Sequence, residues 1–185
     1  IVPLTNTPPV VNANECNDVI LIPNTTAFYL KGNAGDQENE MLTYTWEQYD
    51  EDGPNTPTQG FIGTTAGNST IAPLFRSFPP SLNPDRYFPT LSSLITGISS
   101  DPFQALPRKS RTLHFQLTAR DNNAQGGGID TDELEVGVSN TGPLTVGIVN
   151  DFDAGTPITV TWNTGGSDDL CDMARIQLST DGGLT

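Results

Sequence analysis

Two stretches with an apolar residue at every second position dominate the chain. In TLHFQLTARD (112–121), Leu113, Phe115, Leu117 and Ala119 alternate with polar neighbours, and His114 falls on the opposite face. In DELEVGVSN (132–140), Leu134, Val136 and Val138 repeat the pattern. A period of two puts each apolar set on one side of a strand, so both stretches predict half-buried β-strands. Between them lies ARDNNAQGGGIDTDE (119–133), crowded with Asp, Asn and Gly. Upstream, VILIP (19–23), TAFYLKGNAGD (26–36) and LTYTWEQYD (42–50) carry further strand signals. Phe28 and Leu30 alternate with Tyr29 and Lys31, and Leu42, Tyr44 and Trp46 share a face, with Trp46 expected in the core.

Elsewhere the pattern breaks. Residues 1–15 are rich in Pro and Asn and read as a linker. From about 51 to 111 the alternation stops: EDGPNTPTQG is turn chemistry, and FRSFPPSLNPDRYFPTLSSLITG concentrates prolines and aromatics. The prolines forbid a regular helix until PTLSSLITG, which predicts a short one with Pro89 near its first turn. The stretch is too apolar for a solvated loop and is expected to pack on the strands as an insertion. After TGP (141–143), LTVGIVND, TPITVTWNTGG and ARIQLSTDGG predict three strands of a second unit, 143–185. Three strands fall short of the roughly seven of a free-standing sandwich. This second module is therefore expected to be truncated and the chain to be a piece of a longer one.

The 185 residues carry 22 acidic side chains against 8 Lys and Arg, a formal charge of −14. That balance argues against nucleic acid or an anionic membrane as partner, and it supplies oxygen ligands for a hard cation. No apolar run reaches the ~18 residues of a membrane span, and the opening residues lack the pattern of a signal peptide. Cys16 and Cys171 are compatible with a mutual bond, with partners elsewhere, or with free thiols. Five of the eight basic residues, Arg76, Arg86, Arg108, Lys109 and Arg111, lie in the insertion, where pairing with carboxylates such as Asp85 or Asp101 is expected.

TAFYLKGNAGDQENEMLTYTWEQYDEDG, followed much later by LHFQLTARDNNAQGGGIDTDELEVGV, resembles the frame of PKD and cadherin-like domains. The combination of LTYTWEQYD, PDRYFP and LPRKSRTLHFQLTARDNNAQGGG resembles an accessory region of secreted bacterial reprolysin-like zinc metallopeptidases. The likeness covers about residues 16–140. It implies an all-β, immunoglobulin-like sandwich with a long insertion, followed by the partial second β-sandwich module. It also implies a secreted or cell-surface location, with neighbouring domains of the parent protein and polymeric extracellular substrate as partners. A cell-surface adhesion or carbohydrate-binding module is the alternative, for which Tyr29, Tyr87 and Phe88 would have to form an exposed, coplanar platform.

Catalytic motifs are absent from the sequence. A zincin needs H-E-x-x-H on a helix, and this chain has one histidine, in a strand pattern. No zinc and no enzymatic activity are therefore expected of this fragment. Calcium takes six to eight oxygens. In the PKD or cadherin-like frame the 32–40 turn and the 119–133 loop share one end, making Asp36, Asp121, Asn123, Asp130 and Asp132 the calcium ligands, with Asn14 or Glu15 as extras. The D-x-N-D-N and D-R-E motifs of cadherins are missing, as is EF-hand spacing. The competing reading is a wet β-turn held by Asx-turns at Asp121 and Asn122, with glycines at positive φ.

Overall fold

The computed structural model describes residues 6–14, 19–51, 67–96, 103–147, 153 and 155–170. Cys16, Cys171, Glu15, Asp101 and the third strand expected in the second unit lie outside the described residues. The described residues are all-β apart from short helical turns. Its centre is a four-stranded sheet in the order β2–β8–β7–β5, made of Ile20–Ile22 (β2), Thr43–Gln48 (β5), Arg111–Arg120 (β7) and Ile129–Val138 (β8). The β7–β8 pair is antiparallel along its whole length, with Arg111 opposite Val138 and Arg120 opposite Ile129. β5 is antiparallel to β7, placing Thr43 opposite Arg120, whereas β2 joins β8 in parallel. As the alternation predicts, Leu113, Phe115, Leu117, Ala119, Leu134, Val136 and Val138 are buried, and so is Trp46.

Two small antiparallel sheets complete the enclosure. Phe28–Leu30 (β3) pairs with Arg86–Phe88 (β6), and Val10–Asn12 (β1) pairs with Asn33–Gly35 (β4). The expected insertion thus supplies a strand. It also supplies half of an aromatic nucleus in which Phe75 and Phe88 meet Phe28 and Phe115. Phe28 and Phe88 stack at 5.0 Å, and Phe75 stands edge-on to Phe88 at 5.1 Å. Aromatic pairs of this kind each add about 0.5–1.5 kcal/mol beyond area burial, so Phe75 and Phe88, with Leu74, make the insertion part of the core. The short helix α1, Leu91–Thr96, follows Pro89 as expected, and the Thr90 hydroxyl reaches Ser93 Oγ at 2.9 Å.

The stretch read as a linker is corrected by β1. Pro9, Val11 and Ala13 are buried, alternating with exposed Pro8, Val10 and Asn12. The N–H of Val11 donates to Asp130 Oδ2 and that of Ala13 to Asp132 Oδ2, each at 2.9 Å. Side-chain carboxylates of β8 thus hold β1 in place of backbone carbonyls.

Among the arginines of the insertion, Arg111 pairs with a carboxylate, that of Asp50, whereas Arg86 departs from expectation. Arg86 donates to the carbonyls of Trp46 (2.8 Å) and Arg76 (2.6 Å) and lies 4.4 Å from the ring centres of Phe78 and Phe88. Burial lowers its pKa to about 10. Asp85 instead accepts from the Tyr29 hydroxyl and the Gly32 N–H. In the stretch expected to form a second unit, Thr145–Val146 (β9) pairs with Trp162–Asn163 (β10), and Trp162 is half exposed.

Candidate metal centre

Because β5 and β7 are antiparallel with Thr43 opposite Arg120, the turn before β5 and the loop after β7 meet at one end of the sheet. The turn is built around Asp36. Its Oδ1 accepts the N–H of Glu38 (2.9 Å) and of Glu40 (3.0 Å), and Asn39 takes φ of 58°. This carboxylate-capped turn swings Glu40 back beside Asp36.

Asp121 organises the loop in the same way. It accepts the N–H of Asn123 at 3.0 Å and that of Gly128 at 2.8 Å, and Asn6 Nδ2 reaches its Oδ2 at 2.6 Å. These donors hold its carboxyl below the usual carboxylate range, the Asn123 N–H foremost, against the opposing effect of burial. Of the three glycines, Gly126 has positive φ, at 139°. Gly128 serves close approach, since a Cβ there would stand 2.6 Å from Pro8 Cα.

The two turns bring carboxylate oxygens of Asp36, Glu40 and Asp121 within 4.8 Å of one another. Asp121 is 3% exposed. Asp36 Oδ2 and Glu40 Oε2 are buried oxygen atoms without a hydrogen-bond partner. Among the described residues no Lys, Arg or His forms an ion pair with the three. Buried polar atoms normally find partners, and three carboxylates this close repel when all are ionised, a repulsion that a cation between them would relieve. The donor set is all oxygen, which suits calcium, magnesium or manganese and lacks the imidazole or thiolate that a protein zinc site uses.

Of the five residues expected as ligands, Asp36 and Asp121 enter this cluster. Asn123 lies beside it, donating from Nδ2 to Glu40 Oε1 at 2.6 Å. Asp130 and Asp132 face β1 and hold its N–H groups. Asn14 N donates to Asn12 Oδ1. Glu40, the third member of the cluster and not among the expected ligands, follows Asp36 by four positions. The signal for it is the Asx-type turn D-x-x-x-E, which returns the second carboxylate to the first.

His114 lies near the other end of the sheet. Its Nδ1 is 2.7 Å from Asp50 Oδ1, and its Nε2 is 3.8 Å from Glu135 Oε1. Asp50 is further tied to Arg111, whose Nη2 is 3.3 Å from Oδ2, with side-chain exposures of 2% and 6%. Arg111 also reaches the carbonyls of Ser69 and Ala72, and Gln48 bridges Asp50 to the N–H groups of Leu74 and Phe75. The Asp–His pair therefore belongs to a polar knot that anchors the return of the insertion.

The aromatic platform is not formed by all three residues named for it. Phe88 is fully buried, whereas Tyr29 and Tyr87 are exposed with their rings inclined at 44°. Burial and the Asp85 carboxylate push the Tyr29 hydroxyl up to about 12. No family model matches the chain, and neither curated proteins nor solved structures give a match.

Proposed function

We propose that this chain is a non-catalytic accessory module of a secreted, multidomain zinc metallopeptidase, stabilised by calcium. In this reading residues 16–140 form an immunoglobulin-like, PKD or cadherin-like β-sandwich with β1 laid along it, and a second β module follows. The module acts as a spacer or substrate-surface binder that holds neighbouring domains in a fixed relation beside polymeric extracellular substrate. The observation that carries the reading is the Asp36–Glu40–Asp121 cluster, with two buried carboxylate oxygens lacking any partner. Asp36, Glu40 and Asp121 would hold the cation, which supplies the positive charge that the cluster needs.

Thermal unfolding in EDTA and in millimolar calcium tests the metal. A ligand held by the native state alone stabilises by about 2.7 kcal/mol at a hundredfold excess over Kd. For a domain of this size that is a midpoint rise of roughly 5–10 °C. Asp121→Ala should abolish the rise, and an unchanged wild-type midpoint would remove calcium from the reading. For the accessory role, deletion of residues 16–140 from the parent chain should spare cleavage of a short soluble peptide and slow cleavage of an insoluble protein. Equal loss on both substrates would point to a role in the catalytic centre instead.

A further inference from the structure

We infer that the cation also acts as a latch on the segment that enters the module, an inference that rests on the metal centre proposed above. A carboxylate that meets at the cluster also holds Asn6, and Glu38, from the turn that Asp36 caps, holds Thr7. Asn6 Nδ2 donates to Asp121 Oδ2 at 2.6 Å and to the Gly126 carbonyl at 3.0 Å. Asn123 Nδ2 joins Asn6 Oδ1 (3.3 Å) to Glu40 Oε1 (2.6 Å). Thr7 Oγ1 donates to Glu38 Oε1 at 2.7 Å, within the turn that Asp36 caps. Two of the three cluster carboxylates thus touch the entering segment, directly or through one amide.

From there the chain passes Gly128 and becomes β1, held by Asp130 and Asp132. β1 and β4 pair over three residues, so backbone pairing alone holds this strand weakly. With a cation between them, Glu40 and Asp121 are drawn together and present fixed acceptors to Asn6 and Asn123. Without it, mutual repulsion favours separation of Glu40 from Asp121 and weakens the grip on residues 6–9. The coupling is reciprocal: a docked Asn6 orders the cluster, so loss of its amide must weaken the cation.

Hydrogen exchange on the whole chain, in EDTA and in millimolar calcium with a magnesium control, tests this together with calcium titration of Asn6→Ala. The expected result is calcium-dependent protection of the amides of Thr7 and Val10–Ala13, and an increase in calcium Kd of about fivefold or more for Asn6→Ala. Calcium that raises the unfolding midpoint while leaving these amides and the Asn6→Ala affinity unchanged overturns the latch and leaves the metal centre standing. No calcium binding by the wild-type chain overturns both.

Discussion

Opposite ends of the β5–β7 pair each hold buried or half-buried carboxylates, and the two ends differ in what faces the charge. At one end Asp50 meets Arg111 at 3.3 Å and His114 Nδ1 at 2.7 Å, with Gln48 completing its contacts. At the other, Asp36, Glu40 and Asp121 lie within 4.8 Å with no basic side chain paired to them among the described residues. One carboxylate has a resident cation, and three have none. A buried charge is costly unless it is paired or hydrogen-bonded, so the first end is complete within the chain and the second is where the proposed cation would sit.

The largest effect should come from breaking the complete end. Arg111→Met leaves Asp50 buried with its guanidinium removed, which typically costs about 3–5 kcal/mol. Burial already lowers the Arg111 pKa, with Asp50 opposing that effect, so this pair is held by geometry at a desolvation cost. Urea unfolding should show the loss equally in EDTA and in calcium, and the double variant Asp50→Asn/Arg111→Met should recover part of it. A loss under 1 kcal/mol would mean that Asp50 finds solvent when Arg111 leaves.

The next effect in size is the calcium-induced rise of roughly 5–10 °C, confined to the incomplete end. It should survive Arg111→Met as a shift added to a lower baseline. The two sites share no partner, and effects at separated sites usually add.

A smaller effect concerns acid. The folded-state pKa of Asp121 lies below its unfolded value. Its contribution is therefore fully present above the ordinary carboxylate range, about pH 4, and is lost as pH falls through the folded value. In EDTA, Asp121→Asn should flatten the acid limb of the stability profile below about pH 4. An unchanged limb would assign acid unfolding to other carboxylates.

Legibility in the sequence divides along the same lines. β7 and β8 could be read directly, because one buried face imposes strict alternation on long strands. The insertion's place in the core followed from its apolar content, but its pairing with β3 could not be read. Tyr29 and Tyr87 are neighbours only through a register that joins distant segments. β1 was missed because it is three residues long in a proline-rich stretch, and its N–H groups go to Asp130 and Asp132. Those same bonds explain why two expected metal ligands lie elsewhere: an acidic residue in a loop reads identically whether it faces an ion or a backbone N–H. Glu40 was hidden for the converse reason, since its position is set by an Asx-turn and not by periodicity.

The smallest effect separates the two ends most sharply, because it is a change of sign. Replacing Glu40 by Gln removes one of three like charges while keeping an oxygen that Asn123 can reach. In EDTA the loss of repulsion should leave the variant at or slightly above wild-type stability, by about 0.5 kcal/mol, the usual limit for a partly exposed substitution. In calcium the same variant has lost an anionic ligand, so the wild type gains more from the metal and the order of midpoints reverses. No such reversal is expected at Asp50, whose partner is covalently part of the chain: Asp50→Asn should destabilise in both buffers alike. Thermal unfolding of Glu40→Gln and Asp50→Asn in the two buffers therefore decides the comparison. If Glu40→Gln also destabilises to the same degree in EDTA and in calcium, the cluster is a satisfied structural turn, and the two ends of the strand pair do not differ in kind.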